Sequence, residues 1–248
     1  MSFSFASCIA KYLSLESDKI FDEIIKDIEI YASQPVTGML QLRNRNSNQT
    51  KGRLWEDFVC KWLIVTGKCS EVWKIADLPD DLAKELKLSK TQDSGIDLVG
   101  CIRYHNTQKY VAIQCKYRGP NAKSVTYVKG RRIITSATIQ WANIATFIGL
   151  CAQTGPWHQH WIVTNCRGIG RRKVPRTNKD YSICLKTFQS TSKEHWIELY
   201  KTFSNNHEEK KIGEQLIEDS AKQETKELSV EELRLARLSF FDNKLKII

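Results

Sequence analysis

The chain has 248 residues, enough for one domain with appendages, and its 41% hydrophobic content with seven Trp, nine Phe and eight Tyr supplies a real core. Against 28 Asp+Glu stand 38 Lys+Arg, a formal net charge of +10 that favours an anionic partner such as nucleic acid. No apolar run approaches the roughly 18 residues of a membrane-spanning helix, and eight cysteines scattered without a CxxC pair argue against a disulfide framework and for reduced thiols.

The N-terminus lacks a basic stretch before its apolar residues and carries Glu16 and Asp18 early, so the expectation is an intracellular chain, cytoplasmic or nuclear and not secreted. Residues 5–33 predict one or two amphipathic helices, with Ile20, Ile24, Ile25 and Ile28 at helical spacing. Residues 43–52, RNRNSNQTKG, read as a polar loop. Residues 1–50 are accordingly taken as a helical N-terminal extension. RLWEDFVCKWLIV follows as a helix with Trp55, Phe58, Val59, Trp62 and Leu63 on one face. EVWKIA suggests a short strand and LPDDLAKELKLS a polar excursion. Two strands are predicted over 96–104 and 109–117, joined by a turn at HNT. Residues 133–153 predict a helix apolar on most faces and so buried on both sides. HQHWIVTN and YSICLKTF read as strands, and SKEHWIELYKTF as a closing helix. The order from residue 53 onward is that of an α/β domain over 51–204 with a central mixed sheet. Residues 205–248 change to a charged helical tail. SVEELRLARLSFF opens there with a capping box at Ser229 and Glu232, and the helix either docks a partner or packs back on its own domain.

The chemistry gathers in SGIDLVGCIRYHNTQKYVAIQCKYRG, residues 94–119. Alternation along a strand puts Val111, Ile113 and Cys115 on one face and Ala112, Gln114 and Lys116 on the other. In GIDLVG, Ile96 and Leu98 are expected to point one way and Asp97 the other. Pairing of the two strands by their apolar faces would bring Asp97, Gln114 and Lys116 together at one end of the sheet. A carboxylate there binds a hard divalent cation, and an ammonium orients or helps deprotonate an attacking water. The alternative for these residues is an ordinary solvated strand face, with Asp97 in a turn. Asp93, before Ser-Gly, reads better as a turn cap.

An acidic residue in one strand followed by a strand ending in (Asp/Glu/Gln)-x-Lys resembles the PD-(D/E)xK nuclease superfamily. The likeness is closest to its restriction-endonuclease-like, Mrr-like branch with Gln-x-Lys. GID at the start of the first strand, IQCKY in the second, the long following helix and WIVTN all carry it, over roughly residues 50–200. The resemblance implies an αβββαβ core with a central mixed sheet and helical extensions at both termini. It implies a metal-dependent endonuclease that hydrolyses DNA phosphodiester bonds with Mg²⁺, Mn²⁺ serving as a substitute. Asp97 would be the principal metal ligand, completed by Gln114, the Cys115 backbone carbonyl and Glu56. Lys116 would activate water or stabilise the phosphate in the transition state. Gln114 departs from the acidic consensus, so the negative charge would come from Asp97 and Glu56. On a helical wheel Glu56 borders the apolar stripe while Asp57 lies opposite, which favours Glu56 as the inward acid; a solvated helix acid is the alternative. Gln140, from the long helix, is a candidate supporting residue near the site, or else makes an ordinary core hydrogen bond.

Between Cys101 and Lys179 there are 14 Lys+Arg and no Asp or Glu, a one-signed stretch suited to tracking phosphates. Its candidate nucleic-acid contacts are Arg118, Lys123, Lys129, Arg131, Arg132, Arg167, Arg171, Arg172 and Lys173. The Gly-spaced run 167–173 reads alternatively as a nuclear-targeting stretch or a solvated loop. Nothing here specifies base readout, so backbone contact is expected, to DNA rather than RNA. His158 and His160 share a strand face, but no Cys or acid is spaced to complete a zinc site, and they read as structural. No GxxxxGK is present, so no nucleotide-driven motor is expected. A homodimer, or a helicase or recombination partner met through the C-terminal helix, is the expected assembly; a membrane surface is not. Two rival readings are a nuclease fold that has lost catalysis and serves as a nucleic-acid-binding or RNP subunit, and an end-cleaving subunit of a transposition or recombination complex.

Overall fold

The computed structural model describes residues 3–15, 19–34, 47–91, 95–105, 107–119, 138–170 and 179–204, and the backbone of 123–128 and 131–136. Two N-terminal helices, α1 (Phe5–Ser14) and α2 (Ile20–Ser33), precede the long α3 (Ser47–Val65). Strand β1 (Glu71–Lys74), a 3-10 turn and the short α4 (Asp80–Glu85) lead to β2 (Leu98–Tyr104) and β3 (Thr107–Lys116). A ribbon of β4 (Lys123–Val128) and β5 (Arg131–Ser136) follows, then a 3-10 turn and α5 (Ala145–Gln153). The described chain closes with β6 (Gln159–Thr164), β7 (Asp180–Ile183), α6 (Leu185–Gln189) and α7 (Lys193–Phe203).

The main sheet has five strands in the order β1-β2-β3-β6-β7. β1, β2 and β3 run antiparallel to one another, while β3, β6 and β7 are parallel. This is the mixed sheet flanked by helices that the sequence predicts. Alternation along β3 sorts its side chains into two cores, as side chains of a central strand must be sorted. Val111, Ile113 and Cys115 join α1, α2, α3 and α7 on one face, and Ala112 joins α5, Leu78, Leu82 and Leu86 on the other. Phe5, Phe21, Trp55, Phe58, Trp62, Phe188 and Trp196 pack ring to ring across the first core. The N-terminal helices therefore share one core with the sheet. All eight cysteines are free thiols, and among the described residues no helix is long and apolar enough to cross a membrane.

Several local expectations are corrected. Residues 47–52, read as loop, form the first turns of α3; none of them is fully buried, and burial begins only at Trp55. LPDDLAKELKLS is more than a polar excursion, because α4 turns Leu82 and Ala83 into the second core. The single helix expected over 133–153 is instead a strand, a 3-10 turn and a shorter helix. Ile133, Ile134 and Thr135 are β-branched and pair with β4, as their stiff χ1 favours. α5 itself is not buried on both sides: it buries Phe147 and Cys151, one turn apart on a single face. YSICLKTF holds only three strand residues, Tyr181–Ile183, before α6 begins. Ile96 and Leu98 do not point the same way. Ile96 fills the second core and Leu98 the first, because β2 begins only at Leu98 and the pleat does not extend back to Ile96.

Candidate active site

The β2–β3 ladder ends with Leu98 opposite Ile113. Just beyond it, the Asp97 N–H donates to the Ile113 carbonyl at 2.9 Å. The next ladder position is taken by a side chain: the Cys115 N–H donates to Asp97 Oδ2 at 2.6 Å. The carboxylate thus replaces a main-chain acceptor at the point where the two strands part. Gly95 makes that parting possible, with φ 69°, in the left-handed region that glycine occupies without penalty. Its carbonyl accepts the Gln114 Nε2–H at 2.9 Å. The three residues Gly95-Ile96-Asp97 consequently divide the work: Gly95 supplies a turn and an acceptor, Ile96 anchors the segment in the core, and Asp97 lays a carboxylate against β3.

Gln114 is 3% exposed, and its Oε1 is buried with no hydrogen-bond partner among the described residues. A buried acceptor in that condition takes a water or an ion. Lys116, two positions on and half-buried, ends β3 opposite Thr164 of β6. Glu56 is half-buried on α3. Its neighbour Asp57 forms an ion pair with Lys74 on β1. The Cys115 thiol registers the whole group. Burial pushes it well above the ordinary thiol range, the charges of Asp97 and then Glu56 push it further, and Lys116 pulls the other way. Asp97, Glu56 and Lys116 thus all lie near enough to Cys115 for their charges to bear on its thiol. Two carboxylates, an amide oxygen and a backbone carbonyl would make a hard-oxygen donor set of the kind that suits Mg²⁺. The orphaned Gln114 Oε1 is the observation that fits a cation there. No three of His, Cys, Asp or Glu are gathered into a metal site among the described residues, so the amide and backbone oxygens would have to complete the set.

Asn165 also acts here, in a role the sequence did not disclose. At the end of β6 it is 9% exposed; its Oδ1 accepts the Arg118 N–H at 2.9 Å and its Nδ2–H₂ donates to the Arg118 carbonyl at 2.6 Å. One side chain thus stands in for a neighbouring strand two residues past Lys116. Asn165→Ala would leave both Arg118 backbone groups unmatched, and we expect a loss of about 1–3 kcal/mol of stability, read from urea unfolding midpoints. Restoration by Asn165→Asp would contradict this account, since a carboxylate cannot donate to the carbonyl.

The basic candidates leave from the same end. Arg118 and Arg167 are exposed, on the segments that follow β3 and β6. Lys123, Arg131 and Arg132 lie on the two strands of the ribbon. Ile139, on its return, bridges to Ile169 in the loop after β6. Lys129, Arg171, Arg172 and Lys173 lie outside the described residues, as do Asp93 and the C-terminal stretch 205–248. Gln140 is not in a buried helix: it is exposed, precedes the 3-10 turn and lies against Gly170. His160 pairs with Asp180 (Nδ1 to Oδ1, 3.3 Å), at the opposite end of β6 from Lys116.

Comparison with known families places a family model described as a restriction endonuclease over residues 64–239. No curated protein and no solved structure matches the chain. The matched segment contains Asp97, Gln114, Lys116 and Asn165 and begins after Glu56, so Glu56 stands on its placement alone.

Proposed function

The chain belongs to the restriction endonuclease family, a family of nucleases, and we propose that it hydrolyses DNA phosphodiester bonds with a bound divalent cation. The observation that carries the reading is the Asp97 carboxylate bonded to the Cys115 amide, which sets an acid directly against the strand that bears Gln114 and Lys116. Asp97, Gln114, the Cys115 carbonyl and Glu56 would hold Mg²⁺, with Mn²⁺ as a substitute. When bound, the cation supplies Lewis-acid polarisation of the phosphate. Asp97 is kept in place by its own hydrogen bond to Cys115, so it need not reorganise during the reaction. Lys116 orients the attacking water and offsets charge on the phosphate oxygens. Arg118, Arg167 and the basic residues of the ribbon and of 171–173 would contact the DNA backbone on either side.

Manganese binding tests the ligand assignment without requiring turnover. We expect calorimetry to find a Mn²⁺ site in the wild type that Asp97→Asn and Gln114→Leu each weaken roughly tenfold or more. Equal Mn²⁺ affinity in all three proteins would remove Asp97 and Gln114 from the ligand set.

A further inference from the structure

We propose that Glu29, on α2 and outside the matched family segment, is a positioning residue that locks the Lys116 strand end to the helix bearing Glu56. This rests on the nuclease reading above. Glu29 Oε1 accepts the Tyr117 Oη–H at 2.8 Å, and Tyr117 immediately follows Lys116. Glu29 Oε2 accepts from Lys51 Nζ at 2.7 Å, and Lys51 lies on α3 about 7 Å of helix rise before Glu56. A single carboxylate therefore grips two of the elements that bear candidate site residues, β3 and α3.

The surroundings suit a fixed link. The side chains of Lys51 and Glu29 are only 17% and 24% exposed, so the pair is shielded more than a surface ion pair. The Tyr117 ring lies 6.1 Å from that of Trp55, the residue before Glu56. Gly119 completes the fit, because a Cβ there would come within 3.3 Å of Glu29 Oε1. With Asn165 holding Arg118 from β6, the backbone after Lys116 is fixed from two sides, and the Glu29 side also reaches α3. Small displacements of a reacting group carry large rate costs, so the consequence belongs in turnover more than in binding.

The test compares full-length wild type, Glu29→Ala, Glu29→Gln, Tyr117→Phe and the Glu29→Ala/Tyr117→Phe double variant, each checked for a cooperative melt. We expect Glu29→Ala to lower kcat for Mg²⁺-dependent plasmid cleavage by roughly 10- to 100-fold, with KM and duplex affinity within about twofold. Glu29→Gln, which still accepts from Tyr117 but loses the charge opposite Lys51, should fall between. The double variant should be no slower than the worse single one, since both break the same link. An unchanged kcat per folded molecule, additive losses, or a loss confined to KM would overturn the proposal. A variant that fails to fold is replaced by Glu29→Gln and Tyr117→Phe, which remove one hydrogen bond each without opening a large cavity. Should the wild type cut nothing, the nuclease reading fails separately. The link is then read from the rate at which an amine-reactive acyl reagent modifies Lys116, followed by mass spectrometry. A several-fold change in Glu29→Ala supports it, and an unchanged rate overturns it.

Discussion

Lys116→Ala is expected to slow metal-dependent DNA cleavage by roughly 10²- to 10³-fold while leaving duplex affinity within about threefold. The asymmetry follows from where the side chain sits. Lys116 is half-buried at the last ladder position of β3, one residue after Cys115, whose amide donates to Asp97. One ammonium among many basic groups adds little to backbone binding, which many phosphate contacts share. On the proposed mechanism it is the group that meets charge on the phosphate in the transition state. Single-turnover rates and filter-binding titrations on the same preparations separate the two quantities. Equal losses of affinity and rate would reassign Lys116 to the phosphate track.

Phe58→Ala should cost about 3–5 kcal/mol of folding stability, as large aromatic truncations in closed cores do. Phe58 is 1% exposed and lies against Phe5 of α1, Phe21 of α2, Trp55 of α3, Phe188 of α6 and Trp196 of α7. Its removal opens a void that five rings from four other helical segments and its own helix would have to collapse into. That is a large part of the roughly 5–15 kcal/mol by which domains are stable. Leu15→Ser, at a site 65% exposed, should stay within about 0.5 kcal/mol and serves as the control. Urea unfolding by tryptophan fluorescence measures both. A loss below about 1 kcal/mol for Phe58→Ala would mean that the N-terminal helices are not fastened to the sheet by this cluster.

The strand pair and its face assignment were readable because a pleat has a fixed period. Val111, Ile113 and Cys115 enter one core and Ala112 the other, as alternation requires. Asp97 was legible as a polar residue breaking an apolar run. Its actual seat, accepting from the Cys115 amide, was not, since that depends on the left-handed turn at Gly95 and not on alternation. The stretch 133–153 misled because apolar residues recur through it without a break. A strand, a bridge, a 3-10 turn and a helix laid end to end imitate one long apolar helix, and only the β-branched Ile133-Ile134-Thr135 signalled otherwise. Glu29 had no readable signal at all: 88 residues separate it from Tyr117, and no local pattern records a contact made by folding. Asn165 was visible within WIVTN, but a side chain that imitates a strand partner looks in sequence like any polar strand end.

The most direct measurement is cleavage of supercoiled plasmid, linear duplex, branched DNA and RNA by the purified wild type in Mg²⁺, in Mn²⁺ and in EDTA, with Asp97→Asn alongside and binding followed in parallel. The expected result is DNA cutting that needs the cation, is lost in Asp97→Asn and leaves binding intact. Binding without cutting in either metal would contradict the catalytic account and leave a nuclease fold that only holds nucleic acid or works with a partner.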